Sequence, residues 1–208
     1  MIRIAVVYYS STGSVHALAA AFAEGARAAG AEVRLRRAAE LVPGEVIENN
    51  AEWRAHLDAT ADIPVATPED LVWADGFAFG TPTRFGQPAS QLKQFLDTTS
   101  GPWEAGQLAG KPATGFTSTY ERHGGQESTL LALYHTLHHW GSIVVPTGYV
   151  DYDLSHAAGG NPYGVSNIGG DGPPNVDVLA LARFQGGRLA DIAAALAPVR
   201  DRVGPDAA

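Results

Sequence analysis

Apolar positions along this chain fall into two alternating patterns. Short runs rich in β-branched and aromatic side chains are each followed by segments whose apolar residues recur every three to four positions. The first run spans residues 2–9 (Ile2, Ile4, Ala5, Val6, Val7, Tyr8, Tyr9) and suits a strand buried on both faces. A helix follows, with Val15, Leu18, Ala19, Phe22, Ala26 and Ala29 on one side and Gly30 placed to end it. Residues 32–36 alternate as a second strand, 75–79 form a third, 112–117 a fourth and 143–145 a fifth. Helical spacing returns at Leu92, Phe95 and Leu96, again over residues 126–140 (Leu130, Leu133, Tyr134, Leu137), and finally from an N-cap at Asn175 through Val178, Ala182, Leu189, Ile192 and Leu196. Five strands separated by helices predict an α/β domain over residues 1–208: a doubly wound, five-stranded parallel sheet with helices on both faces. Residues 43–68 read as a surface excursion with a short helix near Trp53. Residues 146–174, dense in Gly, Pro, Asn and Asp, read as one long loop.

The polar, glycine-rich stretches sharpen this outline. Those beginning at Ser10, Thr81 and Ser118 all leave the C-terminal ends of strands, where doubly wound sheets bind their ligands. A net charge of −8 argues against a nucleic-acid footprint or a polybasic membrane patch. The absence of cysteine removes disulfides, thiolate catalysis and Cys-ligated metals. No apolar run approaches the roughly 20 residues of an integral membrane segment, and no basic leader precedes one, so a cytoplasmic protein is expected.

The turn after the first strand carries the clearest chemistry. Ser10, Ser11, Thr12 and Ser14 surround Gly13, and Val15 opens the helix. Neutral hydroxyls, free backbone N–H groups and a helix dipole aimed at one spot form an anion cradle that needs no lysine. Neither GxGxxG nor GxxxxGK[ST] occurs here, which leaves a tightly held monophosphate such as that of FMN. The same residues also make an ordinary turn and N-cap, and the turn alone leaves both readings open.

Longer motifs favour the first. Tyr8-Tyr9-Ser10 with Gly13, Val65-Ala66-Thr67-Pro68, Phe79-Gly80-Thr81-Pro82-Thr83-Arg84-Phe85-Gly86, Gly124-Gly125-Gln126-Glu127, Pro162-Tyr163-Gly164 and Gly169-Gly170-Asp171-Gly172 occur in order. With them, the chain resembles the flavodoxin-like WrbA family of NAD(P)H:quinone oxidoreductases over nearly its whole length. The resemblance implies a flavodoxin-like fold, FMN as cofactor, and two-electron reduction of a quinone by NADH or NADPH in a ping-pong cycle. It also implies a homotetramer. FMN phosphate would sit in the turn from Ser10 to Val15. Thr81, Pro82, Thr83, Arg84 and Phe85 would follow the ribityl chain and ring edge, with Arg84 contributing its backbone N–H more than its charge. Ser118, Thr119 and Gly124 would close over the ring, and His139 would lie near it. Trp103 and Thr12 would line the quinone and nicotinamide pocket. Because the flavin carries the redox step, no catalytic side chain is implied.

Three features depart from the family pattern: Thr12 stands where an aromatic is expected, the Tyr120-Glu121-Arg122-His123 loop is charged and longer, and the loop before Asn161 is shorter. His135, His138 and His139 cluster without a carboxylate and do not read as a metal site. His16 and His138 read as surface or capping residues, and Trp53 and Trp73 as packing. Two other classes remain open at this stage, a one-electron flavodoxin-type carrier and a non-catalytic protein that merely keeps the fold.

Overall fold

A computed structural model describes residues 1–203. Four long parallel strands form its centre: β1 (Arg3–Tyr8), β2 (Glu32–Arg37), β3 (Gly76–Arg84) and β5 (Pro112–Thr119), in the order β2-β1-β3-β5. Strand β1 pairs with β2 on one side and β3 on the other, so the winding reverses at the β1/β3 boundary. That reversal opens a crevice beyond the C-terminal strand ends.

Helices α1 (Ser14–Ala28) and α9 (Val176–Val203) cover one face, around Val6, Leu18, Phe22, Phe116, Leu181 and Leu189. The other face carries α4 (Pro68–Trp73), α5 (Ser90–Asp97) and α7 (Gln126–His139), around Val7, Leu71, Phe79, Leu92 and Leu133. Trp140 packs edge-on against Phe77 and Phe79 in this second core. The α1–α9 crossing is close because it is built on glycine. A Cβ on Gly25 would overlap the Arg183 carbonyl, and one on Gly186 would overlap that of Phe22.

The fifth strand position differs from expectation. It is occupied by two short strands, β6 (Ile143–Val144) beside Pro112 and Ala113, and β7 (Val165–Ile168) beside residues 116–119, both parallel to β5. The chain leaves the sheet between them and forms α8 (Tyr152–Ala157), whose N-cap Asp151 accepts from the Leu154 N–H at 3.0 Å. Residues 146–174 are therefore not one loop: they hold α8, β7 and a 3₁₀ turn, η1 (Gly169–Asp171). Gly164 allows the return to the sheet, because a Cβ there would strike the Gly115 carbonyl.

Residues 43–68 are also more ordered than their pattern suggests. They carry α2 (Gly44–Ile47) and α3 (Ala51–Ala59), the latter capped by Asn50. Strand β3 runs on through Arg84 and folds back into β4 (Gln87–Pro88), an antiparallel hairpin turned on Phe85 and Gly86. Helix α6 (Ser100–Glu104) precedes β5. Among the described residues, no helix is long and apolar enough to cross a membrane.

Candidate functional site

The β1/β3 switch point holds a cleft of 320 Å³. The first turn supplies Ser10, Ser11, Thr12, Ser14 and Val15, and the end of β3 supplies Pro82, Thr83 and Arg84. Ser118 and Thr119 complete it from β5. Three segments far apart in sequence thus converge as expected.

Local geometry aims the first turn at this cleft. Gly13 takes φ 106°, a left-handed value that side-chain-bearing residues adopt at a cost, and its N–H donates to Ser10 Oγ at 3.1 Å. Helix α1 begins at Ser14 with no acidic residue in its first turn, so its unpaired N–H groups and dipole face the cleft uncompensated. Val15 contributes backbone only, since its side chain lies in the core. The Arg84 guanidinium is exposed; it donates to the Thr83 carbonyl at 2.9 Å and to Ser11 Oγ at 3.4 Å, joining two walls.

Other expected residues are placed differently. Thr81 is fully buried: its Oγ1 accepts from the Ala89 N–H at 2.9 Å and donates to the Pro82 carbonyl, and its carbonyl accepts from Thr117 Oγ1 at 2.7 Å. It braces the cleft floor and does not line the cleft. Phe85 stands outside the cleft, wholly exposed and at φ 54°, in a two-residue turn that favours glycine or asparagine. Gly124 supports the wall from behind, where a Cβ would press on the Glu121 carbonyl and Thr119. His139 ends α7, about 20 Å along the helix from Gln126 at its start, so within one chain it does not reach the cleft. Its carbonyl accepts from Trp103 Nε1 at 2.9 Å, which puts both residues at the opposite end of α7.

Three lining residues carry no cleft role in the sequence reading. Tyr120 and Gly169 close the far wall, where the Gly170 N–H donates to the Tyr120 carbonyl at 2.9 Å. The Gly-Gly-Asp-Gly motif was the available signal for Gly169. Glu52 of α3 places a carboxylate at the rim, and no periodicity around it marks that role.

The excursion carrying Glu52 is fastened beneath the turn. Glu40 accepts from Tyr9 Oη at 3.0 Å, Trp53 Nε1 at 3.1 Å and Gln91 Nε2 at 2.9 Å. Burial opposes ionisation of Glu40, but these bonds and the Val42 N–H outweigh it and hold the carboxyl below its usual range. Burial, reinforced by the Glu40 charge, pushes the Tyr9 phenol up.

His16 is no surface residue. Its Nδ1 lies 2.6 Å from Tyr8 Oη, and its ring centroid is 5.4 Å from that of His56 on α3. Burial pushes Tyr8 to about 12, so the phenol stays protonated, and the direction of its bond to His16 Nδ1 follows the imidazole tautomer. Burial also holds both imidazoles below their ordinary range, and for His56 the neighbouring His16 adds to it. The unfolded chain therefore binds protons that the folded pair refuses. The neutral pair's contribution to stability is present above the unfolded imidazole pKa, about 6.5, and is lost as pH falls through it towards the lower folded values. Melting temperature should thus drop between about pH 7.5 and 5.5, and His56→Gln should flatten that drop. Scanning calorimetry checks this; parallel pH profiles for the two proteins would contradict it.

Residues 2–156 match the family described as NADPH-dependent FMN reductase. The chain is 44% identical to the NAD(P)H dehydrogenase (quinone) of Deinococcus radiodurans, over 94% of this chain and 97% of that protein. It is 46% identical to that of Paracoccus denitrificans, over 97% and 99%. Among solved structures it is similar to a flavodoxin, WrbA-like protein from Agrobacterium tumefaciens, with a TM-score of 0.65 and 26% identity over 94% of this chain and 99% of that one.

Proposed function

We propose, for a chain that belongs to the NADPH-dependent FMN reductase family and within it to the WrbA-like, flavodoxin-fold NAD(P)H:quinone oxidoreductases, that the β1/β3 cleft holds FMN and serves a ping-pong transfer of two electrons from NAD(P)H to a quinone. Membership makes the protein an enzyme, an NAD(P)H dehydrogenase acting on quinones. One observation carries the FMN reading: three strand ends converge on an uncapped helix N-terminus lined by hydroxyls. Such a cradle suits a phosphate monoester held by neutral donors.

When bound, FMN supplies an acceptor and donor of two electrons, and the protein's task is to bind, orient and shield it. In this reading Ser10, Ser11, Thr12 and Ser14 donate to the phosphate together with the first N–H groups of α1. Pro82, Thr83 and Arg84 border the chain beyond it, and Ser118, Thr119 and Gly169 form the opposing wall. Gly169 offers no side chain there, which lets backbone approach closely. Glu52 at the rim repels a second anionic group, a modest effect in an exposed position.

The same reading assigns Trp103 and His139 to a neighbouring subunit's site. They are joined at the end of α7 remote from their own cleft, and Trp103 is half exposed with its indole held in one orientation. Phe85 is a second exposed aromatic, held in a strained conformation beside the cleft. Exposed aromatics of this kind are typical interface anchors. A two-fold axis would bring Trp103 of each subunit to the cleft of the other, within a D2 homotetramer.

Initial rates at several fixed quinone concentrations test the cycle: parallel double-reciprocal lines are expected, and intersecting lines would contradict it. Trp103→Ala should raise the KM for quinone about tenfold, leave FMN affinity unchanged, and weaken the oligomer in light scattering. A fully active monomer at micromolar concentration, or a Trp103→Ala enzyme with unchanged KM, would defeat the assignment to a neighbouring site.

A further inference from the structure

A second, larger cleft of 510 Å³ lies behind the wall formed by Tyr120 and Gly169. Two of this chain's departures from its family meet there: the charged loop brings Arg122 and His123, and α8 brings His156. The cleft is firmly built. Asn161 is fixed by donating to Ser166 Oγ at 3.2 Å and accepting from the Tyr163 N–H at 3.0 Å. Asn167, 5% exposed, donates to the Gly172 carbonyl at 3.3 Å.

Gln126 breaks this pattern of satisfied amides. It is only 6% exposed and lines the cleft, yet its side chain makes no hydrogen bond among the described residues. The amide is not sealed off: it opens onto the cavity, where a ligand's donor and acceptor can take the place of water. Gln126 also opens α7, whose N-cap Gly125 supplies no side-chain acceptor, so first-turn N–H groups lie beside it. The charges are mixed. Arg122 lies 3.7 Å from Asp171, both largely exposed, and Glu127 adds a second carboxylate. On the α8 side, His156 stacks on Tyr152 at 4.8 Å and 22°, a flat, backed aromatic platform.

We propose that this cleft binds an adenine nucleotide. The Gln126 amide pairs as donor and acceptor with the base edge, as glutamine does with adenine, and the His156 platform stacks on the base plane. Glu127, in the first turn of α7, or Asp171 accepts from ribose hydroxyls, and the 5′-phosphate lies toward Arg122. A simple anion site fits less well, since two carboxylates face one full cation that is already paired. The adenine nucleotide has two possible sources, the adenosine half of NAD(P)H or a free nucleotide. Only the first rests on the function proposed above.

Calorimetric titration of AMP into the FMN-loaded protein tests the site, with FMN filling the other phosphate cradle. Binding is expected, weakened at least tenfold by Gln126→Leu and severalfold by the surface substitution His156→Ala. AMP should bind more tightly than its 2′-phosphorylated form, because of the two carboxylates. No heat of binding in wild type, or binding that both variants leave unchanged, overturns the proposal. AMP inhibition competitive with NADH identifies the dinucleotide as the source; binding without competition identifies a free nucleotide. Failure of NADH to support quinone reduction while AMP still binds would count against the proposed function and leave this site standing. An active quinone reductase that ignores AMP would do the reverse.

Discussion

Gly13→Val should weaken FMN binding about thirtyfold or more. Gly13 sits at φ 106° at the start of α1, a conformation costing a side-chain-bearing residue about 1–3 kcal/mol. Steric overlap is not the cause, because a Cβ there would meet His56 Nδ1 at 3.5 Å, an ordinary contact. The cost is backbone strain. A β-branched residue relieves it by rotating to negative φ, which turns the Gly13 N–H away from Ser10 Oγ and re-aims the N–H groups that follow. A penalty of about 2 kcal/mol corresponds to the thirtyfold loss. Fluorescence titration of the apoprotein with FMN checks it, with melting temperature as the control for folding. Unchanged affinity in a folded variant would remove the phosphate from this turn.

The largest effect on stability is expected at the α1–α9 crossing. Gly25→Ala would gain about 1 kcal/mol in helix propensity, but its methyl group would occupy the position of the Arg183 carbonyl. Backbone cannot yield as a flexible side chain can, so the helices must separate along a face that also buries Leu18, Phe22, Leu181 and Leu189. Overpacking of this kind costs about 3 kcal/mol or more, lowering the melting temperature by roughly 10 °C in a chain of this size. Gly186→Ala should behave alike, since its Cβ would strike the Phe22 carbonyl in the same crossing. Thermal denaturation decides it, and a variant melting within about 2 °C of wild type would contradict this packing.

Sequence periodicity revealed the sheet wherever strands are continuous and buried. β1, β3 and β5 read clearly because nearly all their residues are buried, with Ile and Val in β1, Phe in β3 and β5, and small Ala, Gly and Thr between them. The division of the fifth strand was illegible for a physical reason. Residues 143–145 read as the strand and β6 lies there, but β7 is four residues long, too short for a period of two to register, and glycine flanks it on both sides. The cleft was legible because hydroxyl- and glycine-rich turns recur at three strand ends; any one of them alone reads equally as a turn and N-cap. Glu52 and Tyr120 were not, because they reach the cleft through the placement of α3 and of the 120–123 loop, which tertiary contacts set. His16 and His56 are forty residues apart, and only the docking of α3 by Glu40 and Trp53 brings their rings together. Thr81 shows the opposite limit: its motif runs along the cleft, but burial turned its hydroxyl into a brace.

The central claim, a flavin in the β1/β3 cleft passing two electrons from NAD(P)H to a quinone, is tested most directly by anaerobic titration of the purified FMN-loaded protein. One equivalent of NADH or NADPH should bleach the visible flavin absorbance completely, and one equivalent of quinone should then restore it. Absorbance that neither nicotinamide nucleotide changes, or that quinone fails to restore, would contradict the account.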